Sequence, residues 1–373
     1  MSSLMLAARP QSRGFGLIEL LVAMAIGLLL MGATLKLYLD LSRSHQDMAR
    51  VNQQIEAGGM AIQVLREDLL HAGFWNGFVP EFDDFTFSAA PTDYPTVEPD
   101  PCLAFTSWTA TEKVNRLGMA VQLFDDVPTG CTTQLPDRVA DSDVLVVRYA
   151  QTCVPGAANC AALNGADAYF QASQCNSDAA RYSIELGAGG TLTERDCSTL
   201  VERRQWVNNI YYLRTYSTTP GDGIPTLMRS SFSAGVQQPA VALIEGVEAM
   251  RFELGVDQVS DAGLAVVLTD PVAWANTEIR TSPTNRGDGA ADALCRSATP
   301  CTQADQINTV MVKAYLLVRT LNETQGYTSD KTYFVGDPGD SDAEFGPFSD
   351  GFKRHVYTTS VRLTNVSGRR ETP

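Results

Sequence analysis

Histidine is almost missing from this 373-residue chain: only His45, His71 and His355 occur, far apart in sequence. Imidazole is the side chain best suited to moving protons near neutral pH, so general acid–base chemistry has little to draw on. The usual catalytic signatures are missing too. There is no Gly-x-Ser-x-Gly, no Walker A loop, no His-Glu-x-x-His, and no Gly-x-Gly-x-x-Gly after a strand. No cysteine precedes Cys102, and Cys-x2-Cys spacing never occurs. With so few histidines, that argues against a zinc site. Cations are also short. The chain has 28 Lys and Arg against 43 Asp and Glu, a net charge of −15. A surface this acidic disfavours nucleic-acid backbones and anionic lipid headgroups. No internal repeat and no Pro-rich or Gly/Ser-rich linker divides the chain. The sequence therefore reads as a structural protein, not an enzyme, and calls for no cofactor.

What is present begins at Arg13-Gly14-Phe15-Gly16-Leu17-Ile18-Glu19 and runs on through apolar residues to Leu35. Between Phe15 and Leu35 the only charged residue is Glu19. A helix over residues 15–35 would be about 31 Å long at about 1.5 Å per residue, the thickness of a bilayer core. A carboxylate inside such a helix costs about 2.5–3.5 kcal/mol on insertion scales, so it needs a partner or a function. An ordinary secretory signal places its small residue after a short apolar core. Here the small residue, Gly14, comes before a long one, directly after a leader carrying Arg9 and Arg13.

That order resembles the class III signal of type IV prepilins: a short basic leader, Gly, Phe, an apolar helix, and Glu at the fifth mature position. Gly16 departs from the pattern, where Thr or Ser is more common. The resemblance implies a prepilin peptidase that cuts after Gly14 and N-methylates Phe15. Residues 1–14 are then a leader, residues 15–35 the membrane span and residues 36–72 an amphipathic stalk helix. The new amine and Glu19 would lie one helical turn apart. Glu19 would act as a registration group, pairing with the amine of a neighbouring subunit. A buried pair of this kind is costly to break from one side only. The leader arginines keep that end cytoplasmic.

Apolar residues recur at Met48, Val51, Ile55, Ile62, Leu65 and Leu69, with Gly58-Gly59 in the gap. This spacing predicts a helix whose face from Ile55 to Leu69 lies on a sheet. Adjacent glycines permit a bend or a close approach. The helix should stop near Ala72-Gly73. Residues 74–139 show no helical period and read as loop, with short strands at 102–107 and 119–124. Strands follow at 144–149, 207–216, 226–229, 247–254, 307–319 and 356–365. Residues 269–306 read as loop and the tail from Ser367 as frayed. The charged runs Lys353-Arg354-His355 and Arg369-Arg370 read as solvated edges.

All eight cysteines, Cys102, Cys131, Cys153, Cys160, Cys175, Cys197, Cys295 and Cys301, fall in the segment that would be exported. An even count there predicts disulfides, whose connectivity the sequence leaves open. Sequential pairing is the working guess. Four of them lie in residues 151–204, a stretch that reads as a stapled insertion. Asp337, Asp340, Asp342 and Glu344 form the strongest acidic cluster, a weak calcium candidate without EF-hand spacing. Asp288 and Asp292, around the Gly287-Asp288-Gly289 turn, are an equally weak candidate.

The later strands resemble the PilW family of type IV pilus minor pilins. The likeness is carried by Tyr211-Tyr212 with Asp222-Gly223-Ile224-Pro225-Thr226-Leu227-Met228-Arg229, and by Glu245-Gly246-Val247-Glu248 with Phe252 and Gly255-Val256-Asp257. The strand at 313–319 and Tyr357-Thr358-Thr359-Ser360-Val361-Arg362-Leu363 extend it. The resemblance implies an α+β fold, with a long N-terminal membrane helix packed on an antiparallel β-rich domain at residues 73–373. It implies a single-pass inner-membrane protein with a periplasmic C-terminal domain, and a place at the pilus tip. Its partners would be other minor pilins, the major pilin, the prepilin peptidase and the inner-membrane assembly platform, and its role priming pilus assembly. A J-type minor pseudopilin of type II secretion and a membrane-anchored tip adhesin are the alternatives.

Overall fold

A computed structural model describes residues 14, 16–296 and 299–371. The leader up to Arg13, and Phe15, lie outside the described residues. Contacts divide the described chain into a part up to Asn52 and a part from Gln53 onward.

One helix, α1, covers Leu17–His71. In the first part its side chains are exposed throughout the apolar stretch, Leu17 and Ile18 at 77% each. Such a surface is stable only against lipid or other apolar helices.

In the second part the helix is amphipathic. Its buried residues are Gln54, Gly58, Ala61, Leu65, Asp68 and Leu69. Of the face predicted from Ile55 to Leu69, Leu65 and Leu69 are fully buried and Ile62 packs on the core, but Ile55 is 54% exposed. Small and polar residues complete the buried stripe, which apolar periodicity alone does not show. The helix ends with Gly73 at φ 73°, whose N–H donates to Arg148 O at 2.9 Å. Only glycine adopts that conformation without penalty.

The strands form two main antiparallel sheets. The first contains β1 (Val121–Phe124), β2 (Val144–Ala150), β3 (Ala168–Ala172), β4 (Tyr182–Leu186), β5 (Arg204–Arg214), β6 (Thr226–Ser233), β7 (Val236–Gln237) and β8 (Val241–Glu245). Its order is β1-β2-β5-β3-β4, with β6 also on β5 and with β7 and β8 on β6. The chain continues through β9 (Val247–Val256), β10 (Trp274–Asn276), β11 (Thr281–Pro283), β12 (Ala293–Arg296), β13 (Thr309–Arg319), β14 (Tyr333–Phe334), β15 (Glu344–Phe345) and β16 (Arg354–Arg362). The second sheet has the order β12-β9-β13-β16, and β10–β11 and β14–β15 are small ribbons. Asp143 ties the two sheets together. Its N–H donates to Met250 O at 3.0 Å, and its carboxylate accepts Phe252 N at 2.7 Å and pairs with Arg251 at 2.9 Å.

The main core lies between the sheets and residues 53–71, with Leu65, Leu69, Leu145, Tyr211, Phe252 and Leu316 among its members. A second core is aromatic. Trp75 stacks on Trp206 at 4.9 Å, and Phe170 and Trp108 close around them. Phe170 comes from β3, so the cysteine-rich stretch at 151–204 is no appendage: it supplies two strands and part of a core.

Two loop expectations and one strand expectation are corrected. Residues 74–139 contain helix α2 (Ala110–Gly118), capped by Thr109, which accepts Glu112 N at 3.2 Å. Residues 102–107 hold a short 3-10 turn at Phe105–Ser107, not a strand. Residues 269–306 contain β10 to β12 and the start of α3 (Gln303–Ile307), which Thr302 and Asp305 cap reciprocally. In both helices a Thr-x-x-acid signature was present and outweighed by the surrounding irregular composition.

The frayed tail is corrected too. Thr364–Arg370 forms α4, with Val366, Ser367 and Arg370 buried.

Candidate assembly site

Glu19 sits in the first turn of α1. Its Oε2 accepts the backbone N–H of Gly16 at 3.0 Å. That satisfies one of the donors every helix start leaves open, and it sets a negative charge at the positive end of the helix. Gly14 is exposed. Phe15, the expected methylation site, lies outside the described residues.

Residues 53–71 are held by a polar bond at each end. Gln54 Nε2 donates to Val318 O at 2.6 Å and to Lys353 O at 3.1 Å. Four turns on, Asp68 accepts three bonds. The Tyr149 hydroxyl reaches Oδ1 at 2.8 Å, and Asn209 Nδ2 and the Tyr211 hydroxyl reach Oδ2 at 2.6 Å each. Burial, and then the Asp68 charge, push both tyrosine hydroxyls well above their ordinary range. They therefore stay protonated and act as fixed donors. Between these anchors Gly58 lets the helix approach the ring of Tyr357. Sliding the helix by one residue would break all of these bonds, so they fix its register. Losing a buried charge-assisted bond costs about 1.5–3 kcal/mol.

The charged runs expected at solvated edges are buried ion pairs instead. The Arg354 side chain is fully buried and meets Glu248 and Asp350, the latter at 2.6 Å. Arg370 in α4 donates through Nε to Asp83 Oδ1 at 2.9 Å and through Nη1 to Asn308 Oδ1 at 2.9 Å, with Asp257 at 3.4 Å. Arg369 also reaches Asp83, at 3.4 Å. Arg148 is buried without a carboxylate hydrogen-bond partner among the described residues. Asn208, Met119 O and Gln122 accept its donors, and burial holds its pKa well below the usual guanidinium range. Apart from Arg354 with Asp350, four residues before it, these pairings join residues far apart in the chain, so sequence alone does not signal them.

Four disulfides join Cys102 to Cys131, Cys153 to Cys160, Cys175 to Cys197 and Cys295 to Cys301. Of the acidic residues considered for calcium, Asp337 and Asp340 face the Arg296 guanidinium, Asp337 at 3.4 Å. That cation already occupies the electrostatic role a metal would fill. Asp342 lies in a short 3-10 turn and Glu344 in β15. Asp288 and Asp292 bond backbone N–H groups nearby, Ala290 for the first and Gln258 and Val259 for the second.

Two family models match the chain. The prokaryotic N-terminal methylation motif covers residues 9–35, and type IV pilus-assembly protein W covers residues 210–365. Among solved structures, a type IV-like pilin from Thermus thermophilus is similar at 12% identity, covering 84% of this chain and 97% of that chain with a TM-score of 0.33. No curated protein is a significant match. The chain thus joins a prepilin-type methylation motif and a helix long and apolar enough to cross a membrane to an antiparallel β-domain. The PilW likeness is confined to residues 210–365, in the strands from β5 to β16. Pilins are structural proteins that work by associating with other pilins and with the pilus machinery.

Proposed function

We propose that this protein is a minor pilin that primes type IV pilus assembly from the inner membrane and travels at the pilus tip. In this reading the prepilin peptidase removes residues 1–14 and methylates Phe15. Residues 15–35 span the membrane, and the domain from residue 73 onward faces the periplasm. Glu19 pairs with the α-amine of an adjacent subunit, and the exposed apolar surface of residues 17–41 packs among the helices of other minor pilins and the major pilin. The assembly platform then extends a filament from that group. A preassembled set of subunits lowers the entropic cost of starting the filament.

The observation that carries the reading is the exposed apolar helix with one acidic residue, Glu19, followed in the same chain by a PilW domain. A filament count by electron microscopy in a deletion strain with retraction blocked tests it. Few or no filaments are expected. Normal filaments with loss of a secreted enzyme would move the chain to type II secretion. Normal filaments with normal secretion and lost attachment would make it an adhesin.

A further inference from the structure

The cysteine-rich stretch forms one wall of a cleft that none of the contacts above uses. Strand β4, helix α2 and residues 78–93 enclose about 430 Å³. The interior is largely apolar, with Phe78, Val114 and Ile184 among its lining residues. The rim is charged and paired within itself. Lys113 Nζ meets Glu185 at 2.8 Å, and Arg181 meets Glu81 at 3.4 Å and Asp84 at 3.3 Å.

Asp93 is left over. It lines the cleft and is only 9% exposed. Its Oδ2 accepts the Glu81 N–H at 2.8 Å, but its Oδ1 is buried with no hydrogen-bond partner among the described residues. A buried acceptor without a donor is costly, and native proteins rarely leave one. Both cations of the cleft are already engaged by other carboxylates, so negative charge is left in surplus above an apolar lining.

We propose that this cleft binds an alkylammonium group, the chemistry a lysine side chain presents. The ammonium pairs with the Asp93 carboxylate, and its methylene stem lies against Phe78, Val114 and Ile184. A neutral group of the same shape would leave the charge unanswered. A carboxylate ligand would meet Asp93, Glu81 and Glu185. The groups facing Asp93 are Glu81 from its own segment and Arg181 and Tyr182 from the start of β4, with Lys113 on α2 and Glu185 farther along β4. Burial pushes Asp93 up to about 6. The site therefore fills as the pH rises through that value and the carboxylate ionises.

The test uses the full chain in detergent, titrated with n-butylamine and, separately, with n-butanol, and followed by calorimetry. Binding of the amine but not the alcohol is expected, weakening as the pH falls below about 6. Asp93→Asn keeps an oxygen for the Glu81 N–H. It should weaken amine binding at least about tenfold, the worth of one charge-assisted hydrogen bond. Ala110→Trp, at an exposed position beside the cleft, should block it without touching the core. Comparing Nα-acetyl-lysine methylamide with putrescine then separates a protein side chain from a free polyamine as the source. Equal binding of amine and alcohol, or amine binding unchanged in both variants, would overturn the proposal. Neither result bears on the filament count.

Discussion

The ring of Tyr357 lies directly over Gly58. A Cβ built on that glycine would stand 2.3 Å from the ring, whereas one on Gly59 would meet nothing within 4 Å. Two adjacent glycines in one helix thus have opposite reasons to be there. Either Gly→Ala change gains about 1 kcal/mol of helix propensity. At Gly58 an overpacking cost of about 1–3 kcal/mol opposes it, because the ring and the helix must part. Gly58→Ala is expected to lower the melting temperature and Gly59→Ala to raise it. Thermal unfolding of the two variants, followed by circular dichroism, checks the contrast.

Arg370 joins the last helix to Asp83 and Asp257, all three side chains almost fully buried. Removing one partner of a buried pair strands the other charges, at a cost of about 3–5 kcal/mol. Arg370→Ala should therefore destabilise the domain strongly. Arg362→Ala, which breaks an ion pair with Glu371 in which both side chains are half exposed, should cost under about 1 kcal/mol. Urea denaturation of the two variants separates them.

Two buried carboxyls set the acid side of the stability profile. Burial pushes both Asp93 and Asp257 up from 3.8 to about 6. Between these values the folded chain holds more protons than the unfolded one, so stability falls as the pH rises from 4 to 6 and then levels. Asp222, which backbone N–H groups hold down to about 2, acts only below that window. The fall should be on the order of 1–3 kcal/mol. Chemical unfolding at pH 4.5 and pH 7 measures it, and Asp93→Asn should reduce it.

Glu19→Ala removes the only charge from the apolar run, so membrane insertion becomes easier by about 2.5–3.5 kcal/mol. Leader removal should be unaffected, and incorporation into pili should drop. N-terminal sequencing of the membrane form and immunoblotting of sheared pili read the two effects separately. Undiminished incorporation would remove the registration role.

The long elements were legible because their patterns are local. β5, β9, β13 and β16 each carry enough β-branched and aromatic residues to stand out. The apolar run after Gly14 announces its own environment. What the sequence hid was decided at long range. Arg354 and Arg370 look like surface charge until Glu248 and Asp83 are brought to them. Asp68 looks like an exposed helix residue until Tyr149 and Tyr211 arrive on neighbouring strands. β3 and β4 lie in a stretch of Ala, Gly and Asn whose composition says loop, yet Phe170 is one of the largest buried side chains. The Thr109 and Thr302 caps were readable, and their helices are merely short.

The disulfides have a consequence in time. Each cysteine is bonded to the next in the chain, and no bridge straddles another. In a chain emerging N-terminus first, every second cysteine meets a single unpaired predecessor, its native partner. Oxidation can keep pace with emergence and needs no reshuffling. The Arg370 lock is the opposite case: its closing residue follows the last of these cysteines, Cys301, by 69 positions, so the staples can be set before the bolt is thrown.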